Sequence, residues 1–218
     1  MKVALKKMEE KKENGFTIRT ATMDDLDSIA AVEAECFPAA EAAAREEFAD
    51  RIRVYGSHFW LLYEGDRLVS FVDGFVTDKE DLTDEMYEKA DMHRENGAWQ
   101  MIFGVNTIQA YRRRGLAGLL LKRAIADARE QGRKGLVLTC KDHLVSYYAG
   151  FGFEDEGISD KSTHGDVAWH QLRLRFRDGY AERECTYYNK GDIWKTKSEK
   201  RAFQDFREIS LRYLQLLP

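Results

Sequence analysis

Hydrophobic and polar residues alternate over several short stretches of the chain, with the period of two that is typical of β-strands. Residues 16–21 show this alternation, and residues 58–63 and 68–76 form two apolar runs. The segment Glu64-Gly65-Asp66 between these runs is a hairpin turn signal. Further strands are predicted at residues 99–105, 136–140 and 168–176, and another begins at Phe151.

Apolar residues at intervals of three and four predict helices between these strands. Thr22 is placed to cap a first helix that ends near Cys36, and the Ala-, Glu- and Arg-rich residues 39–54 predict a second. The strongest helical pattern runs from Gly115 to Gln131, and Gly132 ends it. Residues 82–92 predict a short polar helix or loop, residues 106–111 a loop, and residues 143–149 a short helix capped by His143.

The order of these elements predicts an α/β fold. Early strands are joined by hairpins and later strands by helices, so we expect a mixed, mostly antiparallel central sheet of about six to seven strands with helices on both faces. Residues 1–15 are interpreted as a charged tail and residues 16–176 as the folded domain. Residues 177–218 form an extension with an amphipathic helical pattern over 198–217, which docks either on the domain or on a partner chain.

Composition and charge narrow the class of protein. The 218 residues carry 34 Lys and Arg against 38 Asp and Glu, a formal charge of −4, which argues against broad binding to nucleic acid or a membrane surface. Three widely spaced cysteines make no disulfide framework, and no His, Cys or carboxylate cluster has metal-ligand spacing. Because no apolar signal stretch begins the chain and no run approaches the roughly 18 residues of a membrane span, we expect a cytoplasmic protein.

The segment Arg112-Arg113-Arg114-Gly115-Leu116-Ala117 lies between an apolar strand and the strongest helix. A helix N-terminus offers unpaired N–H groups and a partial positive charge, both of which suit a phosphate. Gly115 and Ala117 would let the backbone approach closely, and the arginines would add charge-assisted hydrogen bonds. The physical pattern predicts a phosphate cradle, with a solvated basic patch at a helix start as the alternative.

Two motifs together resemble the GNAT N-acetyltransferase superfamily. Arg112-x-x-Gly115-x-Ala117 matches its (Gln/Arg)-x-x-Gly-x-(Gly/Ala) signature, and Tyr148 to Phe153 is similar to its Tyr-x-x-x-Gly-Phe ending. The resemblance runs from about Phe16 to Phe176. It extends to the arylalkylamine N-acetyltransferase branch in three segments, residues 33–37, 78–83 and 140–148.

This resemblance implies acetyl-CoA as the acyl-donor cosubstrate and no metal. It implies that Tyr148 protonates the leaving thiolate as general acid, although Tyr148 could instead be a packed aromatic beside Phe151 and Phe153. The implied cofactor contacts come from the strand before the signature, which would bind the pantetheine arm, and from the signature itself, which would bind the pyrophosphate. They are Phe103, Gly104 and Val105 in the strand and Arg112, Arg113, Arg114, Gly115, Leu116, Ala117 and Gly118 in the signature.

The substrate side departs from the pattern of arylalkylamine acetyltransferases. Their His-x-His pair, which helps to take a proton from the substrate ammonium, is replaced here by Trp99 and Met101. An alkylammonium is almost fully protonated at pH 7, so a base is still needed. The candidates are Glu33, Glu35, Asp73, Asp142 and His143, or a chain of waters.

Two residues are candidates for binding the substrate. Asp73, on a predicted strand, could hold an ammonium or could simply face solvent, and Phe37 could line an apolar cleft. Cys140 ends a buried strand and is interpreted as a core residue rather than a nucleophile, because direct attack by the amine needs none.

The favoured function is therefore an acetyl-CoA-dependent N-acetyltransferase that acts on a small-molecule primary amine. Two alternatives stay open: acetylation of a peptide N-terminus or a lysine, and an acyl-CoA-binding module without catalysis. A homodimer is possible. The sequence does not define the acceptor amine, the general base, the oligomeric state or the role of residues 177–218.

Overall fold

The computed structural model describes residues 11–13, 15–38, 41–163 and 167–176. The predicted extension at residues 177–218 and the first ten residues of the predicted tail lie outside this part. Within it, the chain forms ten strands. They are β1 (Lys11–Glu13), β2 (Phe16–Thr20), β3 (Phe59–Glu64), β4 (Arg67–Asp73), β5 (Val76–Thr77), β6 (Trp99–Ile102), β7 (Gly104–Thr107), β8 (Gly135–Cys140), β9 (Glu154–Ile158) and β10 (His170–Arg175).

The helices follow the predicted order. They are α1 (Leu26–Cys36), α2 (Arg45–Tyr55), α3 (Glu85–Glu88), α4 (Leu116–Glu130) and α5 (Val145–Ala149). α2 begins at Arg45, later than predicted. His143 does not cap α5, because it lies in a preceding 3-10 turn and Leu144 is the capping position. No helix in the described ranges is both long and apolar enough to cross a membrane.

The strands form a mixed α/β architecture, as expected. One sheet has the order β1-β2-β3-β4-β7 and the other β5-β6-β8-β10-β9. Among the described strands, β6 and β8 are the parallel pair and every other pairing is antiparallel. Phe48 of α2 packs on Phe59 and Phe71, while Trp60 Nε1 donates to Asp127 of α4 at 2.7 Å. Adjacent residues of β3 thus point to helices on opposite faces.

Two predicted strands are interrupted and one strand was not predicted, which is why ten segments replace the expected six to seven. The strand predicted at 68–76 is split into β4 and β5, and the strand predicted at 99–105 is split into β6 and β7. β7 continues through Thr107, so the predicted loop at 106–111 is wrong for its first two residues. Lys11–Glu13, at the end of the predicted tail, pairs with β2, and Gly15 adopts a positive φ in the turn between them.

A β-bulge causes the interruption. Between the pairs Val76↔Gln100 and Asp73↔Gly104, one strand has two residues and its partner has three. Gly74 is required at this point, because a Cβ there would overlap the backbone carbonyl of Met101. Before the bulge, β4 pairs with β7 in the first sheet. After it, β5 pairs with β6 in the second sheet.

Candidate active site

The parallel strands separate beside the bulge. β6 pairs with β8 from Trp99↔Gly135 to Ile102↔Leu138, and the pairing ends there. β7 then pairs with β4 on one side only, and among the described strands nothing pairs with its other edge. Because backbone N–H and C=O groups at such an edge need partners, the separation leaves a slot that an extended polar chain could fill.

The slot leads to the N-terminus of α4. Arg113 and Gly115 have positive φ angles of 62° and 78°, which turn the chain sharply before the helix. The first helical hydrogen bond runs from the Leu119 N–H to the Gly115 carbonyl at 3.0 Å, so the preceding N–H groups have no intrahelical acceptor. Gly115 is the capping residue and has no side chain to occupy them.

The side chains of the signature divide between solvent and core. Arg112, Arg113 and Arg114 are exposed, whereas Leu116 is buried. Arg112 Nε donates to the Thr107 carbonyl at 3.0 Å, which fixes the loop to the end of β7. Arg114 lies over the ring of Tyr111 at 4.8 Å. The arginines therefore surround the helix N-terminus with positive charge.

Gly118, at the third position of α4, has to be small for packing. A Cβ at this position would lie 3.1 Å from Cζ of Phe151, so the residue allows α4 to pack closely on the segment that follows α5. This contact is a packing requirement that the signature alone did not reveal.

Tyr148 lies in α5, at the far end of β8. The residue is buried, with its ring edge-to-face on Tyr147 at 5.1 Å and Phe153 at 6.1 Å. Burial raises the pKa of its phenol, and the neighbouring Cys140 and Tyr147 raise it further. The hydroxyl is therefore protonated at neutral pH and able to donate. The sequence analysis left two alternatives for Tyr148, a packed aromatic residue and a proton donor. The observed environment is compatible with both.

A buried polar cluster lies on the α1–α2 face of the sheet, next to the bulge. It consists of Glu33 from α1, Arg51 from α2, Asp73 from β4 and Asn106 from β7, all buried. Arg51 Nη1 lies 3.5 Å from Asp73 Oδ2, and Arg51 Nη2 donates to the Tyr87 carbonyl at 2.8 Å. Asn106 Nδ2 donates to Glu33 Oε2. Four distant parts of the chain thus meet at one place, named here the acidic cluster.

Burial changes the titration of both carboxyl groups in the acidic cluster. Burial raises the pKa of Asp73 to about 7; Arg51 opposes this shift and the negative charge of Glu33 adds to it. Burial likewise raises the pKa of Glu33, against hydrogen bonds from Ala43 N–H and Asn106. Asp73 therefore changes its protonation near neutral pH inside the core, which makes it a candidate for proton transfer.

Unsatisfied polar atoms concentrate at the same place. In the described part of the chain, four buried side-chain nitrogen or oxygen atoms have no hydrogen-bond partner. Three of them, Arg51 Nε, Tyr55 Oη and Asn106 Oδ1, belong to the acidic cluster or border it. Because such atoms are costly in a core, their concentration indicates a place where another polar molecule binds.

The sequence candidates divide clearly. Asp73 is 1% exposed, so the interpretation that it faces solvent is wrong, and Glu33 joins it in the cluster. Phe37 is half-buried at the end of α1. Asp142 and His143 are exposed in the turn before α5. Glu35 accepts the Gln109 N–H at 2.7 Å, a contact outside the cluster.

The replaced histidine positions and Cys140 are all in the core. Trp99 and Met101 are buried, and neither side chain can accept a proton. Cys140 is also buried, and burial raises the pKa of its thiol to about 12, as expected for a core cysteine rather than a nucleophile.

Sequence reasoning missed Arg51 and Asn106, although each had a signal. Phe48, Ile52 and Tyr55 form an apolar stripe on α2, and Arg51 falls on the same stripe at helical spacing. A charge on an apolar stripe indicates a buried partner. Asn106 was assigned to a loop, and extending the strand by two residues would have placed it on the same face as Gly104.

A second group of titratable residues, His58, His93 and Glu95, has ligand atoms within 4.8 Å of one another. His93 Nδ1 accepts the Val76 N–H at 3.2 Å, so the ring carries its proton on Nε2 and donates it to Glu95 Oε2. A protonated nitrogen has no lone pair for a metal ion. The group is therefore a hydrogen-bonded cluster. Within it, the hydrogen bond from His58 lowers the pKa of Glu95 to about 2, although burial acts in the opposite direction.

Comparison with known proteins agrees with this geometry. The model of the Acetyltransferase (GNAT) family matches residues 25–153, which include the slot, the signature and Tyr148. The chain belongs to the GNAT acetyltransferase family. It is also 30% identical over 168 residues to serotonin N-acetyltransferase of Mesocricetus auratus, covering 73% of this chain and 77% of that protein.

Solved structures share the fold of this GNAT chain. The loading GNATL domain of CurA from Lyngbya majuscula superposes with a TM-score of 0.64 at 16% identity, covering 74% of this chain and 98% of that one. The GphF GNAT-like decarboxylase, solved with isobutyryl-CoA, gives a TM-score of 0.63 at 24% identity, covering 73% and 99%. At these identities the likeness concerns the fold alone.

Proposed function

We propose that this protein is an acetyl-CoA-dependent N-acetyltransferase whose acceptor is a small-molecule primary amine. The observation that carries the proposal is the separation of β6 and β8 after Ile102 and Leu138, beside a helix N-terminus with no side-chain cap. The slot suits an extended pantetheine arm, and the helix N-terminus suits a pyrophosphate. Both features lie in one continuous stretch of chain.

The cofactor contacts of this proposal come mainly from the backbone. Gly104 and Val105, at the start of β7, and Phe103 just before it would contact the pantetheine along the free edge of this segment. The N–H groups from Arg113 to Gly118 would bind the pyrophosphate, and the exposed arginines would neutralise its charge. GphF, of the same fold, is named as binding an acyl-CoA, which supports this assignment.

Tyr148 would act as the general acid in this scheme. Its phenol is protonated at neutral pH, which is the condition for donating a proton to the leaving thiolate. Phe37 and Asp73 would contact the acceptor, from the end of α1 and from the acidic cluster.

Two observations favour a small acceptor over a peptide. The relative in Mesocricetus auratus is named for acetylating serotonin, a small amine. In addition, the segment between α1 and α2 is joined to the end of β8 by Lys141 Nζ, which lies 2.9 Å from both Glu41 oxygens. This ion pair holds the α1–α2 segment against the end of β8, which would leave less room for a peptide there.

The first test is thermal unfolding with and without acetyl-CoA, with free CoA and ATP as controls. A ligand at 100 times its Kd adds about 2.7 kcal/mol, which corresponds to roughly 5–10 °C in Tm for a chain of this size. We expect this rise with acetyl-CoA and CoA but not with ATP. No shift with saturating acetyl-CoA would contradict the cofactor assignment.

The second test is a release assay for the CoA thiol with primary amines and with peptides that carry a free N-terminus or a lysine. Turnover with small amines supports the proposal. Turnover confined to peptides would show that the acceptor is a peptide rather than a small amine. Binding of acetyl-CoA without turnover would indicate a non-catalytic module.

A further inference from the structure

The slot between the parallel strands has a defined narrow end. The last pair of β6 and β8 is Ile102↔Leu138, and the strands separate after it. Phe103 and Thr139 are therefore the first residues beyond the pairing, one on each side of the gap. Both are half-buried, as expected for side chains at an open gap. An extended chain that enters the slot from the N-terminus of α4 ends at this point, named here the narrow end.

Tyr87 of α3 spans the gap at the narrow end. The centroid of its ring lies 4.9 Å from that of Phe103, and its hydroxyl oxygen lies 3.1 Å from Thr139 Oγ1. The hydroxyl also forms a hydrogen bond with Ser162. One side chain therefore contacts the first unpaired residue of both strands. It closes the narrow end on the face of the sheet that carries α2 and α3.

Two other sides of the narrow end are closed by the sheet itself. Ahead of the gap, the pairing of Ile102 with Leu138 joins the two strands. Side chains alternate along a strand, and Phe103 and Thr139 point to Tyr87, so the side chains of Ile102 and Leu138 point to the opposite face. Both are 2% exposed. A group that outgrows the narrow end therefore meets Tyr87 first.

The backbone of Tyr87 is held independently of its ring. Arg51 Nη2, from a buried side chain, donates to the Tyr87 carbonyl at 2.8 Å. The Tyr87 N–H donates to the Asp84 carbonyl at 3.1 Å. Because neither contact involves the Tyr87 side chain, the ring can be shortened without loss of these two hydrogen bonds.

The acyl group of the donor would lie at the narrow end. In the proposed function the pantetheine arm runs along β7 from the N-terminus of α4 and ends in sulfur, which Tyr148 protonates. Tyr148 lies close enough to Tyr87 for the two side chains to interact electrostatically. The acyl carbons follow the sulfur, so they would come next to the Tyr87 ring.

We propose that Tyr87 limits the length of the acyl group that this enzyme transfers, by closing the narrow end against chains longer than acetyl. This inference rests on the proposed function and specifies its acyl donor. A propionyl or butyryl chain would have to displace the Tyr87 ring from Phe103 or break the hydrogen bond to Thr139. Tyr87 thus selects the donor and takes no part in the proton transfers.

The test compares kcat/KM for acetyl-CoA, propionyl-CoA and butyryl-CoA with one amine, in the wild type and in Tyr87→Ala. In the wild type we expect kcat/KM for butyryl-CoA to be about a hundredfold or more below that for acetyl-CoA, since each methylene that does not fit costs roughly tenfold or more. In Tyr87→Ala the ratio of the butyryl to the acetyl value should rise about tenfold or more. The ratio is the readout because a general loss of stability would lower both values together.

Tyr87→Phe separates the ring from the hydroxyl. The ring stays on Phe103 and only the hydrogen bond to Thr139 is lost, so we expect a smaller rise of the ratio than in Tyr87→Ala. Tyr63→Phe is the matched control, because Tyr63 of β3 also donates a hydroxyl hydrogen bond, to Asp25 Oδ1 at 2.6 Å, but it lies in the first sheet away from the slot. Its ratio should equal that of the wild type.

The outcomes separate this inference from the proposed function. Equal kcat/KM for butyryl-CoA and acetyl-CoA in the wild type, or an unchanged ratio in Tyr87→Ala, would overturn the inference while acetyl transfer stands. A changed preference among amines with an unchanged ratio would place Tyr87 at the acceptor instead. If Tyr87→Ala does not fold, Tyr87→Leu, which keeps an apolar contact with Phe103, must show the rise. If the wild type transfers no acyl group from any of the three donors, the proposed function fails and this inference with it.

Discussion

In the proposed site, the cofactor half and the acceptor half are built from different chemical groups. The cofactor half uses backbone groups: a strand edge at β7 and the N–H groups at the start of α4. The acceptor half uses the side chains of Glu33, Arg51, Asp73 and Asn106, which come from four elements. Backbone N–H and C=O groups are present whatever the residue type, whereas each member of the acidic cluster depends on one particular side chain.

This difference explains what each half can tolerate during evolution and engineering. A backbone slot needs only small residues and a fixed turn, so many sequences can provide it. The acidic cluster needs matched charges, because a buried charge without its partner is costly. We therefore expect substitutions in the acceptor half to affect stability and acceptor choice together, and those in the cofactor half to affect binding of acetyl-CoA.

The largest expected effect comes from removing the only guanidinium described in the acidic cluster. Arg51→Met leaves Asp73 and Glu33 without their positive partner and should lower the free energy of unfolding at pH 8 by about 3–5 kcal/mol. The loss should be smaller at pH 5, where Asp73, with its pKa raised to about 7, binds a proton. Urea unfolding at the two pH values measures both effects.

Arg45→Met provides the comparison within the same helix. Arg45 pairs with Asp27 at 2.7 Å on the surface, and such pairs contribute no more than about 1 kcal/mol. Equal losses from the two arginine variants would show that the buried cluster has no special energetic role.

The next effect belongs to the cofactor half. Tyr148→Phe removes the hydroxyl and keeps the ring that packs on Phe153, so the fold should be retained. We expect kcat to fall about a hundredfold or more, with acetyl-CoA affinity unchanged. Steady-state kinetics and calorimetric titration measure the two quantities, and an unchanged kcat would assign the proton transfer to another group.

A smaller effect is expected at the start of α4. Gly115 and Gly132 flank the helix, and both have positive φ and open space for a Cβ. Alanine at either position should cost roughly 1–2 kcal/mol of stability, because a Cβ disfavours this conformation. Only Gly115→Ala should also weaken acetyl-CoA binding. If Gly132→Ala weakens binding equally, the helix N-terminus is not the phosphate site.

The last expected effect concerns how stability depends on pH. Burial raises the pKa of Asp73 to about 7, so the folded protein holds this proton and stability declines as the pH rises from about 4 to 7. Although burial opposes it, hydrogen bonding from Arg19 and Tyr63 lowers the pKa of Asp25 to about 2. The contribution of ionised Asp25 to the free energy of unfolding is present above pH 4 and is lost as the pH falls towards 2.

Urea unfolding between pH 2 and pH 8 separates the two aspartates. Asp73→Asn should flatten the decline between pH 4 and 7, and Asp25→Asn should flatten the loss below pH 4. The reverse assignment, or no change in either slope, would contradict these protonation states.

The sequence by itself determined the order of the elements and the place of a phosphate-binding pattern in the proposed cofactor half. Periodicity located the strands and α4, and the spacing of Arg112, Gly115 and Ala117 placed a phosphate-binding pattern at a helix start. These features were readable because each depends on residues close together in the chain. A turn, a helix start and a strand are local structures, and local patterns encode them.

Only the tertiary structure decided the acceptor half and the division of the sheet. The bulge opposite Gly74 depends on the register of two strands, which no single stretch of sequence specifies. Asp73 on a strand could face solvent or core, and only the arrival of Arg51 from α2 and Glu33 from α1 made it a buried, paired acid. Burial and charge pairing are properties of what surrounds a residue, and folding alone assembles that environment.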